Sequence, residues 1–536
     1  MAESVGGART GTGMAGAAII IMLGNAASRL LGLVRDQVIA ALFGRTGATD
    51  AFVAAMTVPT MLYDLVIGGA VSAALVPVLS GYAAGDDQRD LRRVAGSVLT
   101  LAALVLAVAV AVLWLFAEQA MALLGTGFAP ENRELSVLLV RIALPSVVFL
   151  GLSAVMTAIL YARQVFTYPA FCVAAYNASI IVAALFFAPQ LGPASLTLGV
   201  LLGAFLQAAI QVPGLRGLGL RPLLDLKHPG VRRIFVLYAP VALGLVVSQV
   251  GVGIDRNLAS RAGEGAMAAM RFATTLVQLP LGLVVTAAAY ATLPTLSRYA
   301  GQLESALAGD EASAAAEAYR STLAMGLRIS LFFVLPAMVG LIALREPAIA
   351  LLFQRGRFEA GDTAQTAWIL LFYLPQLPFV AADQLLIFAF YARKNTLTPM
   401  LVGVLGVGVY LVAGLSLLEP MRAAGLALAN TLQHAVHAVV LFVLLARAVG
   451  GLADRRLWEP LARLAAAAAL AAVVLALVGP PLAGLWDLAS PWGQLAYVLA
   501  ATALGGAAYL VAALALRSEE LRLSFALARR AVARRR

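Results

Sequence analysis

Apolar runs of about 20 residues or more follow one another along almost the whole chain, and this pattern limits the fold more than any single motif. A helix of that length, rising about 1.5 Å per residue, crosses the roughly 30 Å hydrocarbon layer of a bilayer. The runs lie at 17–44, 49–80, 94–117, 135–161, 167–188, 194–213, 234–260, 266–297, 322–344, 365–391, 396–418, 424–447, 459–480 and 494–516. They predict an all-α polytopic membrane protein of about fourteen transmembrane helices. Composition agrees: 62% of residues are hydrophobic and 12% charged, against roughly 45–50% and 25% in soluble domains. A water-soluble fold of this length would have too little polar side chain to cover its surface. The first run is too long for a cleaved signal peptide and is expected to remain as a helix.

Basic residues set the orientation, because Lys and Arg stay on the cytoplasmic side. With the N-terminus inside, these spans place roughly three Lys and Arg in cytoplasmic segments for each one outside. The C-terminus is then cytoplasmic too. The net charge of +11 is mostly topological, and Arg232, Arg233 and the tail Arg529 to Arg536 are expected to meet anionic headgroups. No aromatic-studded basic domain accompanies them, so nucleic acid is not an expected partner. The single Cys172 cannot form an internal disulfide and is expected to pack as a small core residue. His434 and His437 share a helix face with Asn430 and Gln433 nearby. A metal site or proton relay there competes with helix-to-helix hydrogen bonding, which the lack of a neighbouring acid or thiol favours; no metal or cofactor is expected.

An internal repeat organises the chain. Residues 161–169 read YARQVFTYP and 391–399 read YARKNTLTP, an offset of 230 that Pro145 and Pro375 share. Phe52, Pro59 and VPVLSGY (76–82) are echoed by Phe272, Pro280 and LPTLSRY (293–299) at offsets near 220. The copies predict two pseudo-symmetric six-helix bundles plus two C-terminal helices: residues 1–225, 226–455 and 456–536. An even number of spans per copy gives both halves one orientation, with substrate expected between them and access alternating by rocking. Prolines 59, 145, 240, 280, 336, 375 and 378 lie within spans and fit helices bent around a cavity.

Ionisable residues inside spans cost at least about 2.5 kcal/mol each at the bilayer centre unless a cavity or partner receives them. In ASRLLGLVRD (27–36), Arg29 and Asp36 share a helix face and Arg35 points elsewhere. The two arginines suit an anionic headgroup, because a guanidinium binds phosphate bidentately and stays charged when desolvated. An Arg29–Asp36 brace between helices is the competing reading. Asp255 and Arg256 lie in span 7, and Arg271, Thr274, Thr275 and Gln278 form a stripe in span 8. Arg271 suits a cavity or a membrane boundary equally well. Asp50, Asp64, Asp255 and Asp383 are candidates for ion or proton coupling; Asp50 also suits a helix N-cap.

These segments carry a family resemblance. ASRLLGLVRD (27–36), TDAFVAA (49–55), LVPVLSGY (75–82), LPTLSRYAG (293–301) and LLFQRGRF (351–358) occur in the order found in the MurJ (MviN) lipid II flippases of the MOP exporter superfamily, which the chain resembles from span 1 to span 12. The resemblance implies export of undecaprenyl-diphosphate-linked muropeptide, lipid II, across the bacterial inner membrane, driven by membrane potential or an H+ or Na+ gradient. It also implies a non-enzymatic transporter acting as a monomer among membrane lipids. It places Arg29, Arg35 and Asp36 in a central cavity and Asp50 at a functional acidic position, with spans 13 and 14 forming a groove for the polyprenyl tail. The chain departs from the family where Tyr63, Asp64 and Gly68 replace an arginine pair and acid, and where Thr275 replaces a cavity arginine. Arg256 or Arg271 is the expected source of the missing charge.

Other readings remain at this stage. A polysaccharide-repeat flippase or multidrug/cation antiporter of the same superfamily would share the layout, although an antiporter for cationic drugs calls for an acidic cavity rather than Arg29 and Arg35. A membrane glycosyltransferase or ligase needs a sizeable outer loop with catalytic acids. The longest expected outer loops, 118–134 and 345–364, are short and lack metal-site spacing.

Overall fold

The computed structural model describes residues 3–69, 71–84, 88–282, 286–305, 310–452 and 455–522. The basic tail from Arg529 lies outside the described residues. In lipid every backbone N–H and C=O must find a partner inside its own segment, so apolar runs fold as helices. Nine described helices are long and apolar enough to cross a membrane, and two bent pairs raise this to eleven. One of the nine joins two expected spans, and the remaining two expected spans are the first helix and a segment containing undescribed residues.

The chain divides into two compact units. The first holds residues 1–268 with 355–358. Its helices are α1 (Glu3–Phe43), α2 (Gly47–Tyr63), α3 (Val76–Ala83), α4 (Gln88–Leu115), α5 (Ala117–Leu124), α6 (Pro130–Ala143), α7 (Ser146–Ala162), α8 (Thr167–Leu191), α9 (Ala194–Ala209) and α10 (Pro229–Arg261), and α11 (Ala266–Pro280) begins at its edge. The second holds 269–354 and 359–536. It contains the rest of α11, then α12 (Thr286–Ser305), α13 (Asp310–Ala343), α14 (Arg345–Phe353), α15 (Ala360–Tyr373), α16 (Gln376–Ala392), α17 (Leu397–Ala448), α18 (Arg455–Ala483) and α19 (Pro491–Ala515).

This division differs from the boundary at 225 drawn from the repeat. The α10 helix, counted with the second copy by sequence, packs with the first unit: Tyr238 donates its hydroxyl to the Leu65 carbonyl, and a Cβ at Gly69 would lie 2.5 Å from Val241. Likewise α18 and α19 belong to the second unit, where Leu464 and Tyr509 pack with Phe332 of α13. A repeat records sequence correspondence; compactness follows contact.

The repeat nevertheless extends to backbone detail. Pro145 stands between α6 and α7 and Pro375 between α15 and α16, a break that bends the second pair by 43°. After α7 the chain turns at Gln164, φ 60°, and after α16 at Lys394, φ 58°. Each helix is closed by the residue that follows: the Val165 N–H donates to Leu160 O and the Asn395 N–H to Phe390 O. Within α17, Pro420 precedes Arg422 at φ 53°, which separates the two spans expected at 396–418 and 424–447. Span 2 is interrupted differently, by π-helical turns at Asp64–Gly68 and Val71–Leu75. Its repeat partner, span 8, also turns π-helical at Leu281 and Gly282.

Small residues let the first unit's helices approach closely, as expected where lipid offers no hydrophobic drive to association. A Cβ at Gly24 of α1 would lie 2.1 Å from the Ala170 carbonyl oxygen of α8, and one at Gly199 of α9 would lie 2.7 Å from Cα of Ile180. Cys172 is buried on α8, as a small core residue should be.

Candidate functional site

The polar residues of α1 are held by α8. Asp36 is 4% exposed and accepts at Oδ1 from Nε (3.0 Å) and Nη2 (2.9 Å) of its neighbour Arg35. The remaining Arg35 nitrogen, Nη1, donates to Asn177 Oδ1 at 2.9 Å, and Asn177 Nδ2 donates to the Ser28 carbonyl at 3.2 Å. The Asp36 carboxylate pairs with Arg35, the adjacent residue that the shared-face reading set apart from it. A long guanidinium side chain can fold back to an adjacent residue, which helical spacing alone overlooks. Arg29, one and a half turns earlier, is exposed. Arg35 serves as a brace between α1 and α8.

Asn177 was missed by sequence reasoning. The available signal was a lone amide in the apolar run AAYNASII, since such residues in a span usually hydrogen-bond across helices.

Asp50 is 2% exposed and does not cap its own helix. Its Oδ2 accepts from the Gly265 N–H at 2.6 Å and its Oδ1 from the Ala268 N–H at 2.8 Å, so it caps the first turn of α11. The favour is returned: the Glu264 carboxylate accepts from the Gly47 N–H at 2.9 Å at the start of α2, and Arg45 Nη1 donates to the Glu264 carbonyl at 3.1 Å. Gly265 allows this approach, with φ 74° and an added Cβ only 2.5 Å from the Arg45 carbonyl oxygen. A third connection joins the same region, as Arg357 N–H donates to the Ala41 carbonyl at 2.9 Å. Asp50→Ala is expected to cost about 1–2 kcal/mol at this junction. Hydrogen exchange at residues 265–268 should accelerate accordingly; unchanged exchange there would count against a capping role.

Asp64 begins the π-helical interruption of span 2, beside Gly68, and has the Gln249 side chain of α10 as hydrogen-bond partner. Farther along α10, Asp255 and Arg256 form a half-buried pair at 3.3 Å. The Nε of Arg256 is buried with no hydrogen-bond partner among the described residues.

In the second unit the stripe on α11 is graded in exposure: Arg271 and Thr275 are half-buried and Gln278 is exposed. Thr275 Oγ1 donates to the Arg271 carbonyl at 3.1 Å, and Thr274 Oγ1 donates to the Met270 carbonyl at 2.9 Å. These hydroxyls therefore return to their own helix. Asp383 of α16 meets His437 of α17, with Oδ1 to Nδ1 at 2.6 Å. The hydrogen bond expected between helices at the His434–His437 face is present, and its partner is one of the acids singled out for coupling.

The first unit thus carries Arg29 on the exposed part of α1, Arg35 held between Asp36 and Asn177, and a half-buried Asp255–Arg256 pair on α10. Residues 39–492 match the family model described as lipid II flippase MurJ. The lipid II flippase MurJ of Burkholderia cenocepacia is 30% identical over 446 residues, covering 81% of this chain and 82% of that protein. The probable lipid II flippase MurJ of Haemophilus influenzae is 32% identical over 436 residues, or 78% and 84% of the two chains. Among solved structures, a lipid II flippase MurJ in an inward closed conformation superposes with a TM-score of 0.76 at 24% identity, covering 93% of this chain and 99% of that one. An inward-facing multidrug resistance MATE family transporter of the MOP superfamily gives 0.66 at 15% identity over 79% and 94%. At these identities the structural likenesses speak for a shared helical fold, and it is the sequence match across most of its length that places this chain in the MurJ lipid II flippase family.

Proposed function

We propose that this protein moves lipid II from the inner to the outer leaflet of the bacterial inner membrane by alternating access, as a monomer with both termini in the cytoplasm and without catalysing a covalent step. The family relationship across residues 39–492 carries this reading. The physical problem is to pass a diphosphate-linked, sugar-laden headgroup through about 30 Å of hydrocarbon while its polyprenyl chain stays in lipid. Arg29 is the group suited to hold the diphosphate, since it is exposed and belongs to an apolar helix. Arg256 or Arg271 supplies the charge missing where the family's usual arginines are replaced by Tyr63 and Thr275. Transport draws on the membrane potential or on an ion gradient, and α18 and α19 receive the lipid tail.

The test is rescue of a bacterium depleted of its own lipid II flippase, with outer-leaflet lipid II measured directly. Restored growth together with precursor outside is the expected result. Growth without precursor outside would defeat the proposal.

A further inference from the structure

The second unit buries an acid–base pair between two helices. Asp383 on α16 is 8% exposed, and its Oδ1 lies 2.6 Å from Nδ1 of His437 on α17. The ring has a built pocket. Glycines on the first half of α17 make room for it: a Cβ at Gly403 would sit 3.9 Å from His437 Nε2, and one at Gly406 would sit 3.7 Å from Cδ2. The Pro399 carbonyl is a further hydrogen-bond partner of the ring. One turn earlier, His434 feels both Asp383 and His437.

Several ionisable groups on the surrounding helices have partners of their own, and Arg393 caps the end of α16. Tyr319 of α13 donates to the Ala389 carbonyl at 2.7 Å, and Arg328 is paired with Glu519 and Glu520. On α12, Arg298 lies over the Tyr299 ring and Glu304 pairs with Lys394. Asp362 at the start of α15 is engaged in a capping box. Asp383 is the charged partner of His437, and His434 lies one turn away on the same helix.

An isolated carboxylate inside apolar helices is unfavourable, and a proton held between it and an imidazole removes the net charge. Imidazole is also the side chain whose ordinary titration falls between about pH 5 and 8. We propose that Asp383 and His437 form a proton site that exchanges one proton per transport cycle. An Asp383 carboxylate facing neutral His437 takes a proton from the outer side onto the Nδ1–Oδ1 axis, giving an imidazolium–carboxylate pair. Release of that proton to the cytoplasmic side restores the first state, and no other bond changes. The inference rests on the flippase reading and names its coupling ion.

The experiment uses the full chain in proteoliposomes containing lipid II, with the membrane potential clamped to zero. One proton per lipid shifts the steady-state ratio of lipid II between leaflets about tenfold for each pH unit imposed. Wild type should show that shift, and Asp383→Asn and His437→Gln should abolish it. A shift that survives both substitutions overturns the proposal. So does lipid II crossing in wild type with no response to pH, which leaves the flippase reading standing; if wild type moves no lipid II even under an imposed potential, that reading fails and the proton site falls with it. A second measurement guards against misfolded variants. Replacing His228 and His434 by Gln leaves His437 as the one histidine of three, and its 15N resonances should shift with pH as the ring gains and loses a proton. Resonances that stay constant at every pH at which transport responds to the gradient overturn the proposal, because a purely structural hydrogen bond would not release its proton.

Discussion

Arg29→Ala is expected to abolish growth rescue and to lower outer-leaflet lipid II by on the order of 100-fold. Two charge-assisted hydrogen bonds to a diphosphate, at about 1.5 kcal/mol each, amount to about 3 kcal/mol, which corresponds to that factor. Arg29→Lys should retain part of the activity, because an ammonium keeps the charge but cannot offer the planar fork. The thermal midpoint in detergent should be nearly unchanged, since the side chain is exposed. Arg35→Ala should behave differently. It strips Asp36 of two hydrogen bonds and breaks the tie to Asn177, so stability and transport should fall together. Normal transport by Arg29→Ala would remove the cationic anchor from the mechanism. Replacing Arg256 and Arg271 together by Gln should weaken transport without abolishing it; if that double variant is fully active, neither arginine substitutes for the charges absent at Tyr63 and Thr275.

The largest expected loss of stability lies far from that anchor. Arg328 of α13 is 8% exposed, and its Nη2 donates to Glu519 at 2.7 Å and its Nε to Glu520 at 2.5 Å. Glu520, 1% exposed, also accepts from the Ser518 hydroxyl at 2.6 Å. This cluster fastens the end of α19 to α13, beside the contact where Tyr509 donates to the Phe332 carbonyl. Arg328→Ala leaves a buried carboxylate without its counter-charge and should cost about 3–5 kcal/mol, read as a lower thermal midpoint. Adding Glu520→Gln should restore much of it, because the orphaned charge is then gone. An Arg328→Ala protein that melts like wild type would show that the pair contributes nothing to holding α19.

The same cluster predicts an acid limit. Glu520 lies beyond the apolar span that ends at Ala515. Burial pushes its carboxyl upward, but hydrogen bonds from Ser518, its own backbone and Arg328, with the guanidinium charge, hold it below the ordinary value of 4.5. A depressed folded value means the contribution is complete above that ordinary value and is lost as pH falls through the folded one. Destabilisation from this group should therefore begin only below about pH 4.5 and should be absent in Glu520→Gln.

How much could be read in advance varies by residue. Pro145 and Pro375 marked their helix breaks correctly, because a missing N–H and a fixed φ act within one turn of chain. Asp50 was recognisable as a capping residue, yet the helix it caps begins more than 200 positions later, at Ala266. The Arg35–Asp36 pair was not announced by helix-face spacing, because side-chain reach and the position of Asn177 bring the adjacent guanidinium onto the carboxylate. Asp383 and His437 were each noticed in isolation, and nothing in their spacing announced that α16 and α17 bring them within 2.6 Å.

The sequence by itself determined that this is a membrane protein of apolar helices with a repeated plan. A bilayer forces each segment to satisfy its backbone internally, so local composition is enough to dictate the element. Only the tertiary structure decided that α10 packs with the first unit, which acid each buried arginine meets, and where a histidine finds a carboxylate. Those choices depend on which faces of distant helices meet, and in lipid a polar side chain gains from any partner that packing brings within reach, whatever its separation along the chain.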